Sequence, residues 1–178
     1  MYDFLNTEVI SGKAISYLEF GVYKGESIKY FSEINSNPDS RFFGFDTFTG
    51  LPEDWIDFTR IVGKNEFDAG GTFPCIADSR VSFVKGLFQD TLPGFLDEFT
   101  TRNQLVIHND SDLYSSSLYL LTYANHILVP GTIIIFDEIY SVMHEYRAME
   151  DWATSYMRSY EVLAAAHNFE SIAIRLRG

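Results

Sequence analysis

Apolar runs and amphipathic stretches alternate along the whole chain, the pattern of an open α/β sheet covered on both faces. Ala14–Phe20 predicts a first strand. Glu26–Asn35 then places Ile28, Phe31 and Ile34 on one helical face, and Asn37-Pro38 follows as a stop. Arg41–Phe45, Val81–Lys85 and Gln104–His108 predict three more strands. Thr132–Phe136 is a β-branched run suited to a central buried position. The intervening helices are predicted at Thr91–Phe99, with Pro93 in the first turn, at Ser115–Leu128 and at His144–Arg158. Glu161–Ala166 and Ser171–Leu176 predict a closing antiparallel hairpin. Seven strands result, in a Rossmann-like, mostly parallel sheet. The segment 47–79 holds Gly50, Pro52, Gly63, Gly70, Gly71 and Pro74 and is expected to be mainly loop, of the kind that serves as a lid or binding loop. No repeat or interdomain linker appears, so residues 1–178 read as one domain.

Charge narrows the choice of partner. The net charge is -12, and the 13 Lys and Arg form no cluster, which argues against nucleic acid. The 16 Phe and 11 Tyr are spread through periodic segments and read as core. A single cysteine, Cys75, excludes an internal disulfide and suits a reducing cytoplasm. No apolar run approaches ~18 residues, so no membrane span is expected. The aromatic content and the short stretch ahead of the first strand are compatible with a homodimer.

Candidate chemistry sits at the strand ends. The stretch Glu19-Phe-Gly21-Val22-Tyr-Lys-Gly25 follows the first strand, and Asp46 ends the second. This is not the Gly-x-Gly-x-x-Gly that cradles a pyrophosphate. Glu19 would place negative charge near a cationic ligand, Asp46 could accept from both ribose hydroxyls, and Ser27 could reach a ligand carboxylate at a helix N-terminus. S-adenosyl-methionine meets those demands, and methyl transfer to a small-molecule acceptor is the first hypothesis. Asp110, Asp137 and Glu138 follow the fourth and fifth strands, which are neighbours in a doubly wound sheet. Three hard carboxylates suit Mg²⁺ or a similar cation, although acids at strand ends also arise simply as helix caps. His108, inside an apolar strand, reads as a hydrogen-bonded core histidine. His144, opening a helix beside the acids, is a candidate base, and Asp110 is a second catalytic candidate.

In this order the residues resemble the macrocin O-methyltransferase (TylF-like) family of class I S-adenosyl-methionine-dependent methyltransferases. The resemblance rests on Leu18-Glu-Phe-Gly-Val-Tyr-Lys-Gly25, Gly44-Phe-Asp-Thr-Phe-Thr-Gly-Leu-Pro52 and Val84-Lys-Gly-Leu-Phe-Gln-Asp-Thr-Leu-Pro93. His108-Asn-Asp-Ser-Asp-Leu-Tyr114, Pro130–Glu138 and His144-Glu-Tyr-Arg-Ala148 complete it. It implies that Glu19, Gly21, Val22, Gly25 and Ser27 hold the methionine end of the cofactor, Asp46 and Thr47 the ribose, and Gly86 and Leu87 the adenine. Asp110 would border the cofactor and, with Asp137 and Glu138, bind Mg²⁺. The chain departs from the family at Asn109, commonly Ile there, and at Glu138, where antibiotic-sugar members carry Asp. No His lies between Trp55 and Ile107, so a cofactor-binding partner subunit without turnover stands as the alternative.

Overall fold

The structure, a computed structural model, describes every residue from 1 to 178 except Asp57, Thr59 and Arg60, which fall within the expected loop. The strands are β1 (Ile15–Phe20), β2 (Arg41–Asp46), β3 (Trp55–Ile56), β4 (Ile61–Val62), β5 (Val81–Lys85), β6 (Gln104–Asn109), β7 (Ile133–Phe136), β8 (Tyr160–Ala166) and β9 (Ser171–Leu176). Seven of them form one sheet in the order β5-β2-β1-β6-β7-β9-β8. The pairings from β5 to β7 are parallel, and β9 runs antiparallel to both β7 and β8. The expected Rossmann-like sheet with a closing antiparallel hairpin is present.

Alternation along the central strands feeds two cores. Ile133 and Ile135 of β7 face a layer with Tyr17, Phe31 and Phe42, while Ile134 and Phe136 face one with Phe20, Phe45 and Trp152. Both faces are therefore covered, as a parallel sheet requires. Helix α2 (Glu26–Ile34) contributes Ile28 and Phe31 to the first layer; α3 (Phe88–Glu98), α4 (Tyr114–Tyr123) and α5 (Glu145–Ser155) contribute Leu92, Leu120 and Trp152 to the second.

Three boundaries differ from expectation for local reasons. Helix α3 begins at Phe88, because Leu87 is extended and its carbonyl accepts from Asp90 and Thr91; Pro93 thus falls in the second turn. Helix α4 tightens into a 3₁₀ turn over Ala124–His126, and Asn125 there accepts from the Trp152 indole and the Arg158 guanidinium. Helix α5 stops early because Met157 is left-handed, at φ 51°, and the Arg158 N–H turns back to the Ala153 carbonyl. The expected loop 47–79 contains the small β3–β4 hairpin and a Thr49–Asp68 bridge. Ahead of β1, α1 (Tyr2–Phe4) runs into a π-helical turn over Leu5–Ile10 that buries Leu5 and Ile10.

Candidate active site

The sheet order reverses beside β1: β2 and β5 lie on one side, β6 and β7 on the other. Open α/β sheets bind ligands outside the carboxyl ends of the strands at such a switch point. The turn leaving β1 is shaped for close approach. Gly21 has φ +91°, and a Cβ there would lie 1.7 Å from the Asp110 carbonyl oxygen, so only glycine lets the loops after β1 and β6 meet. Asp46 Oδ2 accepts from the Val22 and Tyr23 N–H groups at 2.7 and 2.8 Å, and Oδ1 from the Phe48 N–H at 2.6 Å. One carboxylate thereby shapes two loops and still borders the cavity between them.

That cavity, of about 240 Å³, has three walls. Gly21, Val22, Tyr23, Asp46 and Thr47 form the first, with Gly86, Leu87 and Phe88 beside them. Asp110, Ser111, Asp112, Asp137 and Glu138 form an acidic second wall. Leu51, Pro52 and Phe67 of the long loop form the third. Nine of the residues singled out in the sequence therefore share one cavity: Gly21, Val22, Asp46, Thr47, Gly86, Leu87, Asp110, Asp137 and Glu138.

Glu19, Gly25, Ser27 and His144 do not line it. Glu19 is wholly buried; the Tyr17 and Ser27 hydroxyls donate to it at 2.6 and 2.8 Å, and His108 Nδ1 lies 3.1 Å away. Gly25 takes the left-handed N-cap position of α2 beneath Pro74. His108 is buried as expected. Burial alone would lower its pKa, but the hydrogen bond and charge of Glu19, with Asp110 and Asp137, outweigh that and raise it to about 9. His144 Nδ1 accepts from the Tyr114 N–H at 3.2 Å while Nε2 lies 2.8 Å from the Ile56 carbonyl, to which its N–H donates. Both ring nitrogens are thus hydrogen-bonded to backbone, which ties the start of α5 to α4 and to the β3–β4 hairpin.

Two further acids belong to this region, and neither interrupts an apolar run in the sequence. Asp112, buried and left-handed at φ 61°, lines the cavity. Glu145 is wholly buried, accepting from the Ser111 and Glu138 N–H groups. Its pKa is pushed well above the ordinary carboxylate range by burial and then by Asp110 and Asp112. Burial raises Asp110 likewise; His108 opposes the shift, and Asp137, Asp112 and Glu19 add to it. The carboxyl groups of Asp46, Asp110, Asp112, Asp137 and Glu138 around one cavity suit a cationic ligand, and a sulfonium with an ammonium meets that demand. The apolar Leu51, Phe67 and Leu87 suit a purine. The donor chemistry of Asp110, Asp137 and Glu138 suits a hard divalent cation. Their spacing does not form a ready-made site: among the described residues no group of three or more His, Cys, Asp or Glu is arranged to hold a metal.

A family profile described as "Methyltransferase domain" matches residues 18–139, from the end of β1 past the acids that follow β7. The chain belongs to the methyltransferase family. Its sheet is that of the class I, S-adenosyl-methionine-dependent methyltransferases. A curated relative, the 8-demethyl-8-(2,3-dimethoxy-alpha-L-rhamnosyl)-tetracenomycin-C 4'-O-methyltransferase of Streptomyces olivaceus, is 27% identical over 166 residues. The match covers 80% of this chain, which spans 62% of that relative's length. Among solved structures, the calicheamicin methyltransferase CalS11 superposes with a TM-score of 0.73 at 24% identity, covering 98% of this chain and 76% of that one. An apo form of CalS11, described as a TDP-rhamnose 3'-O-methyltransferase, gives 0.67 at 22% identity over 98% and 76%. CmcI in a Mg-SAM form gives 0.60 at 15% identity over 92% and 65%. At these identities the structural likenesses establish the fold of the methyltransferase, not its substrate.

Proposed function

We propose that this methyltransferase transfers the methyl group of S-adenosyl-methionine to a hydroxyl of a sugar or sugar-bearing small molecule, as a TylF-like enzyme. The observation that carries the reading is the meeting of the Gly21 turn, the Asp46 carboxylate and the acidic wall in one cavity at the switch point of the sheet. The sugar acceptor is suggested by the rhamnosyl substrates named for the Streptomyces olivaceus relative and CalS11.

When bound, the cofactor supplies an electrophilic methyl that leaves sulfur as the new carbon–oxygen bond forms. The chain's residues do the rest. Asp46, Val22 and the Gly21 turn orient the nucleoside, and Leu51, Pro52 and Phe67 shield the cavity from water. Holding donor and acceptor in line accounts for ~7–11 kcal/mol of barrier lowering in well-oriented systems. The hydroxyl proton passes to the acidic wall that Asp110, Asp112, Asp137 and Glu138 form. Glu19 and Ser27 support the β1 turn from beneath.

Mg²⁺ held by Asp110, Asp137 and Glu138 is a finer proposal, supported by their donor chemistry and by the Mg-SAM form of CmcI. Such a cation would neutralise charge on this wall and lower the pKa of an acceptor hydroxyl. The test incubates the protein with S-adenosyl-methionine and rhamnosyl acceptors, TDP-rhamnose and rhamnosylated aromatic polyketides, with and without chelator. Expected are a methylated sugar, its loss on chelation, and unchanged cofactor affinity by calorimetry. Full activity in chelator removes the metal; cofactor binding with no methylated acceptor favours a partner subunit.

A further inference from the structure

Helix α5 opens on His144-Glu145, and the fully buried Glu145 lines no part of the cavity. An acid in a first helical turn ordinarily sits in water and complements the helix dipole. Burying a carboxylate is costly unless its oxygens are hydrogen-bonded, and here both are. Oε1 accepts the Ser111 N–H at 3.2 Å and Oε2 the Glu138 N–H at 3.1 Å. Ser111 sits between Asp110 and Asp112, and Glu138 follows Asp137, so one carboxylate grips the backbone of both acid-bearing loops. The β6–β7 ladder holds the roots of those loops only as far as Asn109 and Phe136, with one more bond from the Asp137 N–H to the Asn109 carbonyl. Beyond that the Glu145 carboxylate bridges them. His144 extends the same grip to Tyr114 at the start of α4 and to Ile56 of the β3–β4 hairpin.

We propose that Glu145 is a positioning residue for methyl transfer: its carboxylate fixes the separation of the loops that carry Asp110 and Asp112 on one side and Asp137 and Glu138 on the other. This rests on the methyl-transfer reading above. The bridge needs an acceptor on each oxygen, and glutamine keeps the shape but offers only one. A misplacement of reacting groups by about an ångström lowers turnover by ~100-fold.

Two measurements on the full chain test it. Hydrogen exchange, followed by NMR with S-adenosyl-methionine bound, reads the Ser111 and Glu138 amides in the unaltered protein and in Glu145→Gln. Both are expected to be slow in the former, and at least one to quicken in the variant while β6 and β7 amides do not change. Kinetics with a rhamnosyl acceptor should show kcat lowered ~100-fold in Glu145→Gln and further in Glu145→Ala, with cofactor affinity unchanged. Open-chain exchange at either amide in the unaltered protein overturns the bridge, whether or not a variant folds. Full kcat in Glu145→Gln, or cofactor affinity falling in step with kcat, overturns the positioning role. If the unaltered protein methylates no acceptor, the methyl-transfer reading and the positioning role that rests on it fall together, and the amide exchange separately decides whether the bridge exists.

Discussion

At the scale of single residues, backbone contact matters more than side-chain chemistry at the core of the site. Gly21→Ala would drive a methyl into the Asp110 carbonyl, so the loops after β1 and β6 must part. The expected outcome in calorimetry is loss of S-adenosyl-methionine binding with the fold retained by circular dichroism. Asp46→Asn is a second case, because an amide cannot accept on both sides: either the Val22 and Tyr23 N–H groups or the Phe48 N–H lose their acceptor. Cofactor affinity should fall sharply there too. Away from the site, the Arg80 guanidinium donates to the carbonyls of Ser32, Asn35 and Asn37 and pairs with Asp78, tying the end of α2 to the start of β5. Arg80→Ala should cost ~1–3 kcal/mol in urea denaturation, since those carbonyls lose their partner. The hydrogen bond from Arg80 also lowers the Asp78 pKa. A depressed acid contributes stability that is present above its unfolded value near 3.8 and is lost as pH falls through the folded one. The acid side of the stability profile should therefore flatten in Arg80→Ala. Gly21, Asp46 and the strand-end acids were legible because each interrupts an apolar run at a predictable place. Glu145 was not, because an acid in a first helical turn looks like any dipole-complementing surface residue until its burial is seen.

At the scale of elements, the seven main strands and helices α2 to α5 were legible because each buries a face, and burial imposes a period of two or 3.6; the helical turns over residues 2–10 were not. Boundaries failed where the stop is a backbone event, as at left-handed Met157, or a side-chain tie, as at Asn125. The β3–β4 hairpin left no periodic signal, since strands of two residues cannot alternate. It is held against the body of the protein by the His144–Ile56 bond and, just ahead of it, by the Ser115 hydroxyl donating to Glu53 at 2.5 Å. His144→Ala should therefore speed limited proteolysis within residues 53–66 while leaving the sheet's amide protection unchanged. If His144 were instead the base, its loss would abolish turnover without altering cleavage of the loop. Between α4 and α5, Trp152 is wholly buried and donates to Asn125. Trp152→Ala should cost ~3–5 kcal/mol in denaturant titration.

At the scale of the molecule, a strongly acidic protein concentrates carboxylates around one cavity: Asp110 feels Asp137, Asp112 and Glu19, Glu145 feels Asp110, Asp112 and Asp137, and His108 is set against Glu19, Asp110 and Asp137. Such an arrangement is costly to fold around nothing, and its chemistry is that of a host for a cationic nucleoside. The most direct test of methyl transfer to a sugar hydroxyl is an isotope experiment with methyl-labelled S-adenosyl-methionine and a rhamnosylated aromatic acceptor, read by NMR. The account predicts one labelled methyl on a sugar oxygen for each S-adenosyl-homocysteine formed, and none with Gly21→Ala. Label on carbon or nitrogen, or bound cofactor with no label leaving it, would contradict the account.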